Sequence, residues 1–266
     1  MTDLNAYSMA LIGATFLGAV INASTGFGFA MIIAPMLLIS VAATDAVQIA
    51  SILTFAIVLS LAPFLLRKCH PVALKNMILG SIVGFPVGSA FLFFAPNIWL
   101  KLFAALIVTY ALFKMIRDKM SYRHSINISL SEEQPLDERL SFRDMMFPSF
   151  FSGLLNAAMA MPGPPVMAFL SISKMDRKTI RATLITFMSF SYAGLIAMHF
   201  TFIGMSENVF SLLKLLAMPT FLGIVFGHFL SDMISENIFK WLTLTLMVGV
   251  LAGLGTNIFQ TVFSLG

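Results

Sequence analysis

Residues 22–35, NASTGFGFAMIIAP, place an amide, two hydroxyls, two glycines and a proline inside one of the most apolar regions of the chain. Each of these residue types either brings hydrogen-bonding groups into an apolar environment or weakens the helical backbone ladder. The stretch therefore predicts a helix break within a hydrophobic segment.

Composition sets the class of the protein. The 266 residues are 59% hydrophobic and only 11% charged, and the mean hydropathy is +0.93, which is far from the average of soluble domains. A helix needs ~20 apolar residues to cross a bilayer. Apolar runs bounded by polar segments, most of them long enough to span, lie at 5–22, 24–41, 46–66, 72–94, 98–116, 145–160, 164–173, 180–202, 209–230 and 238–260. The sequence predicts an all-α polytopic membrane protein.

The basic residues indicate which loops face the cytoplasm, because Lys and Arg beside short loops stay on that side of the membrane. This sidedness accounts for the sequence pI of 9.3 and gives no reason to expect a nucleic-acid partner. The loop 117–144 is predicted to be a cytoplasmic linker between a first repeat, 1–116, and a second, 145–266. The three basic groups are Arg67, Lys68 and Lys75; Lys114, Arg117, Lys119, Arg123, Arg139 and Arg143; and Lys174, Arg177, Lys178 and Arg181.

Two halves of the chain resemble each other. The segment ASILTF at 50–55 has a counterpart, ATLITF, at 182–187. Further matches occur in the same order along both halves and predict an internal repeat. They pair Gly18 and Asn22 with Gly153 and Asn156, Gly84 and Gly88 with Gly223 and Gly227, and Lys101 with Lys240.

The basic loops also predict that the second repeat is inverted. If the loop at 67–75 is cytoplasmic, the hairpin 5–41 opens outward, whereas 145–173 lies between two cytoplasmic basic groups and opens inward. Three spans follow each hairpin, so we expect two inverted-topology repeats with both termini outside. Each repeat would be a broken or re-entrant helical hairpin plus three transmembrane helices. The second hairpin is too short for two full spans, and its turn is expected at 161–165.

The two breaks predict a substrate site. Backbone that leaves the helical ladder inside a membrane is tolerated only when it is buried in protein or lines a cavity. Half-helices that begin at two opposed breaks would direct their positive N-terminal ends at one point, which suits an anion. The alternative is that these residues only allow close packing, and that the hydroxyls bond their own preceding turn. The predicted substrate-binding residues are Asn22, Ser24, Thr25, Gly26, Phe27 and Gly28; Asn156, Pro162, Gly163, Pro164 and Pro165; and Ser51, Thr54, Thr183 and Thr186.

The segments GFGFAMIIAP at 26–35 and MPGPPVMAFLSIS at 161–173 carry a resemblance to a known family. With the repeat that contains them, they resemble the sulfite exporter TauE/SafE family, transporters of small sulfur-containing anions, over nearly the whole chain. The second segment departs from the family's common Gly-Gly-Gly-Pro form, because Pro162 and Pro164 flank a single Gly163. The resemblance implies export of sulfite, a sulfonate or a related anion across a bacterial inner membrane.

Transport also fits what the spans lack. No span contains paired carboxylates, a metal-ligand spacing or a nucleophile beside a base, so we expect no enzyme activity, no cofactor and no metal site. The expected partners are a small anion and the lipid bilayer, and self-association is left open. A proton-coupled uptake carrier and a channel for another small anion remain alternatives. His199 and His228 are the titratable groups well inside predicted spans, and the membrane potential is the simplest driving force for export.

Overall fold

The computed structural model describes residues 2–121, 142–170, 175–230 and 236–263, and no strand occurs within those ranges. The central part of the predicted linker, 122–141, lies outside them. The prediction of an all-helical chain is confirmed for the described residues. The helices are α1 (Thr2–Thr25), α2 (Phe29–Ser40), α3 (Ala43–Leu65) with a short 3-10 turn after it (Leu66–Lys68), α4 (Pro71–Phe94), α5 (Asn97–Ser121), α6 (Phe142–Met159), α7 (Gly163–Leu170), α8 (Arg177–Phe202), α9 (Glu207–Leu230) and α10 (Glu236–Phe263).

The helices have the lengths and surfaces of a membrane protein. Only 22% of the apolar window of α9 is buried, and its exposed side includes Phe221, Phe226 and Phe229. Soluble monomers rarely expose apolar surface on this scale, so the chain is a multi-pass membrane protein. By contrast, α2 and α7 are ~18 Å and ~12 Å long, too short to cross. Within the described ranges, six helical segments are long and apolar enough to cross: Tyr7–Thr25, Ala43–Lys68, Pro71–Phe94, Lys178–Phe202, Glu207–Phe229 and Leu244–Thr261.

Capping side chains fix where two of the spans begin. The His70 ring accepts a hydrogen bond from the backbone N–H of Ala73, and Pro71 occupies the first position of α4. At the start of α8, the Asp176 carboxylate accepts the backbone N–H of Thr179 at 3.0 Å. Hydrogen bonds from Thr179 hold the pKa of Asp176 below its usual value.

Helices α3 and α8 form an antiparallel pair at the centre of the molecule. The window of α8 is 56% buried. At one end of the pair, Gln48 Nε2 donates to the Gly204 carbonyl at 3.0 Å. At the other end, the His70 backbone N–H donates to Thr183 Oγ1 at 2.9 Å.

Two further pairs, α1 with α9 and α4 with α6, run parallel and approach through glycine. A Cβ on Gly84 would overlap the Phe150 carbonyl, and one on Gly227 would lie 2.7 Å from Ala23 Cβ. The residue numbers in contact rise together along both pairs, which sets the parallel direction. The glycines therefore serve backbone-to-backbone packing, as small residues commonly do in membrane helices.

Candidate functional site

The first break separates α1 from α2. Gly26 and Gly28 have φ angles of 93° and 116°, in the left-handed region that glycine adopts without steric cost. The Gly26 N–H donates to the Asn22 carbonyl at 2.7 Å. Thr25 Oγ1 lies 2.8 Å from the Ile21 carbonyl and 2.9 Å from the Phe27 carbonyl. The Gly26 N–H and the Phe27 carbonyl at the break thus find partners close by in the sequence.

Ser24, also predicted to bind substrate, faces a neighbouring helix. Its hydroxyl lies 2.8 Å from the Val20 carbonyl and 2.9 Å from the Gly227 carbonyl on α9. These are the contacts of a hydroxyl that fastens α1 to α9. Its predicted role in substrate binding remains a prediction.

The second break, between α6 and α7, has the same local geometry as the first. The Ala160 N–H donates to the Asn156 carbonyl at 2.7 Å, and Ala160 has a φ of 56° although it is not glycine. The Tyr192 hydroxyl donates to the Ala160 carbonyl at 2.7 Å. The Ser152 hydroxyl donates to the Pro162 carbonyl. Side chains from α6 and α8 therefore satisfy the carbonyls that the break releases.

Helix α7 begins at Gly163, within the segment 161–165 that we expected to form the turn. Pro164 and Pro165 lie in its first turn. Proline is accepted there because the N–H groups of the first turn have no intrahelical partner, so their loss breaks no bond. The consequence is that this helix end has fewer N–H donors than that of α2.

The structure brings the two breaks together. A Cβ built on Gly163 would lie 3.7 Å from Phe27 Cβ and 3.6 Å from Met188 Cε. The cavity between the breaks has room for about one water molecule. Its walls combine predicted residues of both breaks with side chains of α8. It is lined by Phe27, Gly28, Ala30, Met31, Met161, Gly163, Pro164, Met188 and Tyr192.

The equivalent asparagines, Asn22 and Asn156, are both fully buried but differ in their bonding. Asn156 Nδ2 lies 2.9 Å from both the carbonyl and the hydroxyl of Ser191. Neither amide atom of Asn22 has a hydrogen-bond partner within the described part of the chain. A buried unsatisfied polar group costs about 1–3 kcal/mol. Asn22 thus holds unused hydrogen-bonding capacity in the last turns before the first break.

The four predicted hydroxyls of α3 and α8 do not line the cavity between the breaks. Ser51 and Thr54 donate to the carbonyls of their own preceding turn. Thr183 donates to the Thr179 carbonyl and also accepts the His70 N–H. Thr186 is buried, with no partner for its hydroxyl in the described ranges. Ser51, Thr54 and Thr183 thus have contacts that a purely structural hydroxyl would make.

Sequence reasoning missed two residues at the breaks. Arg181, which we grouped with the loop cations, lies on α8 and donates from Nη2 to the Ala23 carbonyl at 2.6 Å. Its Cγ would be 3.2 Å from a Cβ on Gly26, so a positive charge adjoins the first break. Tyr192 was also missed, although a tyrosine in the middle of an apolar span needs a hydrogen-bond partner.

Comparison with known proteins gives one match. A family model described as sulfite exporter TauE/SafE matches residues 11–254 of the 266. The matched range runs from within α1 to within α10 and includes both breaks. Neither the comparison with curated proteins nor that with solved structures gave a significant match.

The two asparagines are expected to differ in their contribution to stability. Asn156→Leu removes the hydrogen bonds to Ser191 and should lower the free energy of unfolding by about 1–3 kcal/mol. Asn22→Leu removes two unsatisfied polar atoms and should leave stability unchanged or raise it. Thermal unfolding of the purified variants in detergent measures both. Equal destabilisation by the two substitutions would contradict the difference described here.

Proposed function

We propose, because the chain belongs to the sulfite exporter TauE/SafE family, that it exports sulfite, a sulfonate or a related small anion across a bacterial inner membrane. Membership in this family and the multi-pass fold make the chain a membrane transporter. The identity of the anion and the outward direction are the proposed part. A family of transporters also favours movement of the anion over its chemical conversion.

The observation that carries the proposal is the meeting of the two breaks at the start of α2. No side chain caps this helix, and the N–H groups of its first turn have no carbonyl partner within the helix. A helix N-terminus carries roughly half a positive charge and attracts anions. Asn22 offers an amide N–H₂ in the last turns of α1, and Arg181 adds a full positive charge nearby.

The second break contributes to the proposed anion site mainly through its shape, because it offers few hydrogen-bond donors. Pro164 and Pro165 carry no N–H, so the first turn of α7 has fewer backbone donors for an anion. Gly163 instead leaves open the space beside Phe27 and Met188. We therefore assign the oxygen atoms of the anion to the α2 side of the cavity. The second break forms the opposing wall.

The size of the cavity supports a carrier over an open channel. It accommodates about one water molecule, which is too little for sulfite or any sulfonate. An anion can enter only after the surrounding helices move. The cavity is thus closed to the anion in this conformation, and the proposed transport requires it to widen.

Helix directions support the proposed inverted repeats. Helix α1 is parallel to α9, and α9 runs opposite to α8, which precedes it across the short turn 203–206. Helix α8 is antiparallel to α3. It follows that α1 runs parallel to α3 and antiparallel to α4. Helix α6 is the counterpart of α1 in the second half, yet it runs parallel to α4. These opposite directions are the ones that an inverted second half would have, and they support the proposed inversion.

A two-fold axis between inverted repeats would place each helix on its counterpart in the other half, so every packed pair should have an equivalent pair. The observed pairs agree with this expectation. The pair α1–α9 corresponds to α6–α4, while α3–α8 and α5–α10 correspond to themselves. With the basic loops in the cytoplasm, this arrangement has both termini in the periplasm. In the same proposal, 117–144 is a cytoplasmic linker between the two repeats, 1–116 and 145–266.

Topology can be checked by single-cysteine labelling in a Cys69→Ser background, because Cys69 is the only cysteine. Asp3→Cys and Leu265→Cys should react with a membrane-impermeant reagent in whole cells. Leu130→Cys should react only after the cells are opened. A terminus that becomes reactive only in opened cells would refute the inverted arrangement.

The position of the anion can be tested with side chains that fill the cavity. Gly28→Leu and Gly163→Leu should each abolish anion flux in proteoliposomes, because the cavity between the breaks has no spare volume. Gly13→Leu is the matched control, since a Cβ at Gly13 meets nothing within 4 Å. Its flux should equal that of the wild type. Normal flux through both cavity variants, each confirmed to be folded, would remove the site from between the breaks.

Direction and driving force can be tested with an imposed voltage. The acidic residues Asp45 and Glu207 lie in the first turns of α3 and α9 rather than in mid-span. A potential contributes about 2.3 kcal/mol per charge per 100 mV, roughly a 50-fold gradient for a monovalent anion. Proteoliposomes with a negative interior should therefore show accelerated anion efflux. Flux that is insensitive to voltage and follows an imposed proton gradient would favour the proton-coupled alternative.

A further inference from the structure

The side chain of Met188 forms one wall of the cavity between the breaks. It lies on α8, three residues after Ile185, whose Cγ1 would be 3.2 Å from a Cβ on Gly26. Its Cε lies 3.6 Å and its Sδ 4.0 Å from a Cβ built on Gly163, and Phe27 Cβ lies 3.7 Å from the same point. The end of the Met188 side chain therefore reaches the place where the two breaks meet.

Several other walls of this cavity are fixed in size. Gly28 and Gly163 have no side chain, and the ring of Pro164 cannot rotate. The Tyr192 side chain is fully buried, and its hydroxyl donates to the Ala160 carbonyl at 2.7 Å. The size of the space therefore depends on the longer side chains that line it.

Three of these longer side chains are methionines from different segments. Met31 lies in the first turn of α2, Met161 lies in the second break, and Met188 lies on α8. All three are at most 3% exposed. Methionine is unbranched and flexible, so it fills irregular gaps and tolerates changes in their shape. Met31 and Met161 belong to the breaks themselves, whereas Met188 belongs to an uninterrupted helix.

The internal repeat shows that a helix at this position does not need a methionine. ATLITF at 182–187 corresponds to ASILTF at 50–55, so Met188 corresponds to Ala56. Ala56 is exposed on α3, whereas Met188 is buried against the cavity. The long side chain is therefore present at the one of the two equivalent positions that faces the breaks.

The chemistry of Met188 decides which part of an anion it can contact. A thioether has no hydrogen-bond donor and is a weak acceptor, so it cannot hold the oxygen atoms of sulfite or of a sulfonate. Those oxygen atoms are assigned to the N-terminal end of α2. What lies against Met188 is then the substituent that a sulfonate carries on its sulfur. The length of the side chain at 188 sets how much room that substituent has.

We propose that Met188 determines the size of the anion that the transporter accepts. The inference rests on the proposed function, because it takes the anion to bind between the breaks. A shorter side chain at 188 admits a longer substituent, and a bulkier one excludes it.

Fluxes of sulfite, methanesulfonate and the longer homologue 1-butanesulfonate through proteoliposomes test the proposal. Met188→Ala should raise the ratio of kcat/KM for 1-butanesulfonate to that for methanesulfonate by roughly tenfold or more, because an added methylene in a fitted apolar pocket already changes selectivity by about this factor. Met188→Phe should lower the same ratio. A general loss of folded protein reduces both fluxes alike and leaves the ratio unchanged.

Met77→Ala is the matched control. Met77 on α4 is fully buried and does not line the cavity, so its truncation removes the same atoms from the protein interior without changing the walls of the site. The ratio should stay at its wild-type value. An equal change in Met77→Ala and Met188→Ala would overturn the proposal, and so would an unchanged ratio in both Met188 variants.

A double substitution tests the position of Met188 with one anion alone. Gly163→Leu adds atoms toward Met188 Cε and Sδ, so Met188→Ala should restore at least about a tenth of the wild-type flux to Gly163→Leu. Gly28→Leu should not be restored, because Gly28 has a φ of 116° and a Cβ there would contact Ile21. Restoration of both variants, or of neither when both are folded, would contradict the proposal.

Failure of the proposed function would give a different result. Wild-type protein that moves none of the three anions rejects the proposed function, and the inference falls with it. Wild-type flux with an unaltered ratio in the Met188 variants rejects the role of Met188 alone. Sulfite flux without flux of either sulfonate in Met188→Ala also counts against that role and leaves anion transport standing.

Discussion

Backbone groups inside a membrane must find hydrogen-bond partners within the protein, and the rest of this structure depends on that constraint. Each half of the chain interrupts a helix, and each interruption releases carbonyls that water cannot satisfy. At the first break the Thr25 hydroxyl is hydrogen-bonded to such carbonyls. At the second break the hydroxyls of Ser152 and Tyr192 donate to them. These partners can reach the second break only if α6 and α8 pack close to it. The helix breaks are therefore stable only together with the helix packing that supplies their hydrogen-bond partners.

Much of the fold follows from local sequence, since apolar runs of about twenty residues leave few alternatives to membrane-spanning helices. The first break was predictable because Gly26 and Gly28 adopt left-handed backbone that other residues avoid. The second was predictable from its prolines, but its detail was not. The non-glycine Ala160 has a positive φ, and its carbonyl is held by the distant Tyr192. Neither property is visible in the neighbouring sequence.

The side-chain contacts that the sequence did not predict all join distant segments of the chain. Arg181 has the pattern of a loop cation, and only the folded chain shows its guanidinium at the end of α1. Thr183 has the same spacing to Thr186 as Ser51 has to Thr54, yet its hydroxyl accepts the His70 N–H at the end of α4. A repeat in sequence predicts equivalent backbone positions. It does not predict equivalent side-chain partners, because those partners come from the other half of the molecule.

The two halves differ at the breaks in charge and in hydrogen-bonding groups, and both differences concern the proposed anion site. Arg181 corresponds by the repeat spacing to Ile49, and the amide of Asn156 is engaged by Ser191 whereas that of Asn22 is not. The positive charge and the unsatisfied amide belong to the first break, while the proline-rich second break has few donors.

The close helix pairs limit how the cavity can open. Helices α4 and α6 touch through the backbone at Gly84, so sliding one along the other would force carbonyl oxygens into helix atoms. The same holds for α1 and α9 at Gly227. Any motion that widens the cavity must therefore move α1 together with α9 and α4 together with α6, which separates the first break from the second.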